Sequence, residues 1–303
     1  MRPLIHIGYV KTGSTWLQRC MFNQYELAPL DRGRNTRSAL IQEILVKDDF
    51  DFNGREARRQ LDEVWVRVGK PNSVPIWSDE TLLGDPCNRR YDAYRNGQKL
   101  YETFPDGKVL ICIREQIGMA ISIYREIIRG GGRYTLEMVL GTGREKQGYS
   151  PVLKPEYLHY HRAIGFYQSL FGADNVLVLP YELLKTAPGD FVARICQFAN
   201  LPLVEPKAAE VYNLGFRGAN LALLRRLNCM VVKNPLTPGI GYAQKMMVRI
   251  VTHMGRFVPR FIDDRIERKL REQVEERYNG KFSESNATTS KLIGVDLKSL
   301  GYQ

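Results

Sequence analysis

After Lys108, the segment Val109-Leu110-Ile111-Cys112-Ile113 is apolar at every position. A strand with one wet face alternates polar and apolar residues. A strand that is apolar throughout has both faces covered, as in a parallel sheet packed between helices. Leu4-Ile5-His6-Ile7-Gly8-Tyr9 and the stretches 74–78 and 175–179 read the same way. Helix-like sequence falls at 14–24, 118–128, 156–171 and 189–199. The expected class is therefore α/β: a central parallel β-sheet flanked by helices, with ligands bound outside the carboxyl ends of the strands. From about Tyr212 the sequence is helical without clear strands. Asn234-Pro235 and Thr237-Pro238-Gly239 separate helices expected at 219–232 and 242–258, and a charged helix follows at 263–278. Residues 1–303 are read as a single domain, with an α/β core over 1–212 and a mostly helical C-terminal extension over 213–303.

With 303 residues, 44% hydrophobic and 25% charged, the chain can bury a large core, and wholesale disorder or a coiled coil is excluded. No apolar run approaches the ~18 residues of a membrane span. Met1-Arg2-Pro3 leads straight into strand-like sequence, without room for a signal peptide, so a cytoplasmic protein is expected. Five cysteines form no CxxC pair, and Cys20, Cys112 and Cys196 lie in apolar segments as buried free thiols. The formal charge of +11 favours an anionic partner: a nucleotide, an acidic glycan, a nucleic acid or a membrane surface. No recognised nucleic-acid motif accompanies it, so no nucleic-acid partner is expected.

The first strand runs into Gly8-Tyr9-Val10-Lys11-Thr12-Gly13-Ser14-Thr15-Trp16 and then a helix. Backbone N–H groups at such a junction bind anions, and Ser14 and Thr15 add hydroxyls. The Gly8-x4-Gly13 spacing is close to an ATPase phosphate loop, but Ser14 stands where that motif needs lysine, and Lys11 precedes Gly13. A magnesium-dependent NTPase is disfavoured. An ordinary strand–turn–helix with a surface lysine is the bland alternative.

Lys11-Thr12-Gly13-Ser14-Thr15-Trp16 resembles the 5′-phosphosulfate loop of sulfotransferases that use 3′-phosphoadenosine 5′-phosphosulfate (PAPS). The resemblance implies a P-loop NTPase-like fold. It also implies that Lys11 contacts the phosphosulfate, that Thr12, Gly13, Ser14 and Thr15 hold the 5′-phosphate, and that Trp16 packs on adenine. The family's second motif is an arginine ending a core strand and a serine eight residues later. Arg114 and Ser122 match it and would hold the 3′-phosphate. Weaker likenesses follow. In Pro180-Tyr181-Glu182, Tyr181 is an adenine contact or a core aromatic. In Gly215-Phe216-Arg217-Gly218, only Arg217 and Gly218 match an element that closes over the 3′-phosphate. The stretch 282–302 is similar to the tail of many bacterial sulfotransferases.

Sulfuryl transfer needs a base for the acceptor hydroxyl and a cation at the leaving phosphate. Lys11 suits the second role. For the first, Ser78-Asp79-Glu80 is similar to the Ser-x-Glu of bacterial members. Glu80 is the first choice and Asp79 the second, against a helix cap with Asp79 capping and Glu80 in the first turn. His6 is read as packed near the cleft, and His159, His161 and His253 as structural or exposed. No His/Cys/Asp cluster has metal-ligand spacing, so a metal-free reaction is expected. Glycines, cations and tyrosines over 129–134 and 144–149 read as a mobile lid for an acceptor hydroxyl. The resemblance to bacterial members favours a carbohydrate or glycolipid. The 242–258 helix carries Lys245, Arg249, His253 and Arg256 on one face and apolar residues on the others, as a membrane-surface helix or a docked one with a solvated basic face. The competing functions are a non-catalytic anion- or nucleic-acid-binding protein and a P-loop nucleotide kinase.

Overall fold

The computed structural model describes residues 2–22, 35–68, 74–203, 205, 218–230, 241–255 and 258–303. Four strands, β1 (Leu4–His6), β2 (Ile76–Ser78), β3 (Lys108–Ile113) and β4 (Val176–Pro180), form one parallel sheet in the order β2-β1-β3-β4. Ile5 lies level with Trp77 on one side and Val109 on the other. Leu110 lies level with Leu177. The apolar run that opened the argument is buried from Val109 to Ile113. Its alternation divides the core: Val109, Ile111 and Ile113 join one buried cluster, Leu110 and Cys112 the other. The expected α/β architecture is thus the observed one.

In chain order the helices are α1 (Ser14–Trp16, continued by a wide turn over Leu17–Met21), α2 (Asn35–Leu40), α3 (Gly54–Val68), α4 (Ala93–Thr103), α5 (Gln116–Arg129), α6 (Leu136–Leu140), α7 (Tyr160–Phe171), α8 (Tyr181–Thr186), α9 (Pro188–Ala199), α10 (Gly218–Leu227), α11 (Tyr242–Met254), α12 (Arg260–Tyr278) and α13 (Ser283–Ile293). Helices α2, α3, α4, α6, α8 and α13 are not among those expected from the sequence. In α4 the buried face is disguised by polar residues: Asn96 donates to the Leu82 carbonyl at 3.0 Å, and Lys99 to that of Lys47 at 2.7 Å. Helix α6 lies between the two stretches, 129–134 and 144–149, that read as a mobile lid. Asn228 pins the first of them, donating to the carbonyls of Ile128 and Gly132 at 2.8 and 2.7 Å. Cys20, Cys112 and Cys196 are buried thiols outside any disulfide, as expected. The breaks at 234–239 lie outside the described residues. Among the described residues, no helix is long and apolar enough to cross a membrane.

Candidate active site

β1 hands its chain to a loop that stays registered on β3: Ile7 N–H reaches the Leu110 carbonyl at 3.0 Å, and Tyr9 N–H that of Cys112 at 3.1 Å. The loop then turns sharply. Lys11 has φ 66° and Gly13 φ 90°, both left-handed. For a lysine that conformation costs about 1–2 kcal/mol. Thr12 holds the turn by donating its hydroxyl to the Tyr9 carbonyl at 2.5 Å. Its side chain is therefore spent on the loop, leaving only its backbone for a ligand. Leu17 N–H closes a helical bond on the Gly13 carbonyl at 3.0 Å. The amides preceding it head the helix, where an anion is favoured. Ser14 is buried and Thr15 half-buried beside them.

Arg114 follows β3, and its Nη1 donates to the Lys11 carbonyl at 3.2 Å. The two motifs, 103 residues apart in sequence, meet in one place. The Arg114 guanidinium also lies 5.1 Å from the centre of the Tyr181 ring, and Lys185 Nζ 4.7 Å from it. Desolvation and the neighbouring Arg114 charge hold the Lys185 pKa below the usual lysine value. Tyr181 touches the loop as well: a Cβ on Gly13 would come within 3.2 Å of its ring and 2.9 Å of Leu184. Ser122 is half-buried on α5, and its side chain makes no hydrogen bond among the described residues.

Lys11 Nζ is held by Glu126 Oε2 at 3.0 Å, and Arg129 reaches the same oxygen at 3.6 Å. Sequence reasoning missed Glu126. Its signal was its place one helical turn beyond Ser122, on the same face of α5. Missed too was the framework behind Arg114. Tyr160 OH donates to the Arg114 carbonyl at 2.5 Å, Glu182 accepts from Glu115 N–H at 3.1 Å, and Tyr302 OH donates to Glu182 at 2.8 Å. The similar tail noted in the sequence thus braces the β3–α5 junction.

At the end of β2, Ser78 Oγ lies 2.8 Å from His6 Nδ1. Gln18 Nε2 donates to Ser78 Oγ at 3.1 Å and to Glu80 Oε2 at 3.2 Å. Gln18, one turn past Ser14 on the helix, therefore steers Glu80, which is half-buried. Asp79 is corrected. It is fully buried and its Oδ1 accepts from Thr81 N–H at 2.7 Å and Thr81 Oγ1 at 2.6 Å, which makes it the cap of the turn. His6 is fully buried, and burial, partly offset by Asp79, lowers its pKa to about 4.

Trp16 is buried in the core cluster that also holds Leu179, Phe191 and Ile195. Gly218 begins α10 and packs on α12, where a Cβ would come within 2.6 Å of Ile266. Arg217 lies outside the described residues. Among the described residues no group of His, Cys, Asp and Glu could hold a metal ion.

Residues 87–206, from the turn after β2 to beyond α9, match the family model described as Sulfotransferase family. The match covers this segment and not the rest of the chain. The crystal structure of a sulfotransferase from Alicyclobacillus acidocaldarius aligns over 99% of each chain at 16% identity, with a TM-score of 0.58, a likeness of fold. The sulfotransferase domain from the curacin biosynthetic pathway is 12% identical over 83% of this chain and 97% of its own, with a TM-score of 0.40. Mouse sulfotransferase SULT7A1 complexed with PAP is 13% identical over 96% of this chain and 89% of its own, with a TM-score of 0.35. No curated protein matches. The matched segment contains β3, Arg114, α5 and Tyr181, whereas Lys11 and Glu80 lie ahead of it.

Proposed function

We propose that the chain is a PAPS-dependent sulfotransferase acting on an acceptor hydroxyl. The observation that carries the reading is the Arg114 to Lys11 hydrogen bond, because it puts two cationic motifs at the mouth of one glycine loop. A nucleotide with phosphate at both ends needs two such anchors; AMP needs one. The loop amides with Ser14 and Thr15 suit the 5′ end, and Arg114, Ser122 and Lys185 the 3′ end.

In the transfer, the acceptor oxygen forms a bond to sulfur as the bond from sulfur to the bridging phosphate oxygen breaks. The acceptor proton passes to Glu80. Adenosine 3′,5′-bisphosphate leaves with the electron pair, and Lys11 neutralises the charge growing on the bridging oxygen. Glu126, which holds Lys11 here, must yield it to the donor, and a half-exposed pair worth about 1 kcal/mol or less does so readily. The acceptor is read as a carbohydrate or glycolipid. Tyr149, Lys154, Arg162 and Arg277, with Glu145 and Glu156, line a cleft of about 580 Å³ at the lid, a polar and aromatic surface suited to sugars. The single-domain reading of residues 1–303 belongs to the same proposal, since Tyr302 braces the Arg114 junction.

Calorimetric titration tests the donor. Adenosine 3′,5′-bisphosphate should bind far more tightly than AMP or magnesium-free ATP, and equal weak binding of all three would refute the reading. Lys11→Ala and Glu80→Gln should each abolish most turnover, with bisphosphate affinity retained in Glu80→Gln.

A further inference from the structure

Helix α11 is docked by one face. Gln244 and Val251 are buried, and the Gln244 amide donates to the Arg129 carbonyl at 3.3 Å and to Asn228 Oδ1 at 3.0 Å. The docked face thereby leaves the opposite one outward. On that side Tyr242, Met246, Ile250 and Met254 follow one another at i, i+4 spacing, 82%, 52%, 49% and 52% exposed. This is an unbroken apolar stripe along a 13-residue helix about 20 Å long. A helix merely docked on a globule turns polar residues outward. Beside the stripe, Lys245 and Arg249 are exposed, and neither has an acidic partner among the described residues. The helix contains no Asp or Glu. Seven residues past Met254 come two more exposed apolar side chains, Phe261 and Ile262.

We propose that α11 is an interfacial helix that seats the protein on an anionic lipid surface. Tyr242, Met246, Ile250 and Met254 enter the headgroup layer, while Lys245 and Arg249 meet lipid phosphate or carboxylate at its edge. Charge selects this occupant over a second copy of the chain. Pairing two α11 helices would bring Lys245 and Arg249 of one copy near those of the other, in a chain whose formal charge is already +11. At 13 residues the helix is too short to span a bilayer, so it lies along the surface. The proposal requires no donor chemistry, and its test is independent of the sulfotransferase reading.

The test is flotation of the full chain with phosphatidylcholine vesicles, with and without phosphatidylserine. The expected result is that binding to the anionic vesicles is about tenfold stronger than to neutral ones. M246S/I250S should reduce it by about tenfold or more. K245E/R249E should abolish the preference for phosphatidylserine, with unchanged thermal unfolding midpoints showing that both variants fold. No flotation with either vesicle would overturn the proposal, as would binding that either pair of substitutions leaves intact. Failure to float combined with self-association that M246S/I250S abolishes would assign the face to a second copy instead.

Discussion

Lys11 is held in a left-handed backbone conformation and ion-paired to Glu126 before any ligand arrives. The pair keeps an ammonium group at the mouth of the loop, but it also places a negative charge where an anion must bind. Removing that charge should therefore help binding. Glu126→Gln is expected to tighten adenosine 3′,5′-bisphosphate by about two- to tenfold, the effect of one carboxylate at a partly wet site. Calorimetry checks it, and weaker binding in the variant would mean that Glu126 positions Lys11 rather than competing for it. His6 makes a second residue-scale prediction. Above about pH 6.5 the histidine is neutral in the folded and unfolded chains and has no effect on stability. Below that, the unfolded chain takes up a proton that the folded one refuses until about pH 4, so stability falls across this window. The loss should reach about 3 kcal/mol by the lower limit. Urea unfolding of wild type and His6→Gln at neutral pH and near about pH 5 should show a smaller loss in the variant.

At the scale of elements, the site is a junction of strand ends and helix starts, and it was legible where its chemistry is local. Apolar strands β1, β3 and β4 announced themselves because both faces are buried. The loop lysine and Arg114 stood at strand ends, where ligands of such sheets bind. What stayed hidden is made by distant partners. Nothing in the sequence near Arg114 names Tyr160, Glu182 or Tyr302 as its brace. The cap at Asp79 and the proposed base at Glu80 share a dipeptide, and burial together with the bonds to Thr81 tells them apart. α4 was missed because Asn96 and Lys99 are buried through bonds to carbonyls of other segments. Gly13 joins α1 to α8: its φ of 90° and the closeness of Leu184 and Tyr181 leave little space for a side chain. Gly13→Ala should cost about 1–2 kcal/mol of stability. It should also weaken bisphosphate binding more than any surface substitution on α3; thermal unfolding and titration measure the two effects separately.

Across the whole molecule, a formal charge of +11 surrounds a pocket that the proposed donor enters as a polyanion. Long-range attraction of this kind acts on the rate of encounter and is screened by salt. Bisphosphate association measured by stopped flow should slow several-fold as ionic strength rises from low to physiological, with a much smaller change in dissociation. A salt-independent association rate would show that the charge serves another surface. The parallel register has a different consequence. β1 is an interior strand of three residues, and both its neighbours, β2 and β3, come from much later in the chain. Closing such wide loops is slow, because entropy is lost before contacts compensate it. During refolding, the glycine turn therefore has no template until the middle of the polypeptide has collapsed around it, and ligand affinity should return with the slowest native phase instead of preceding it.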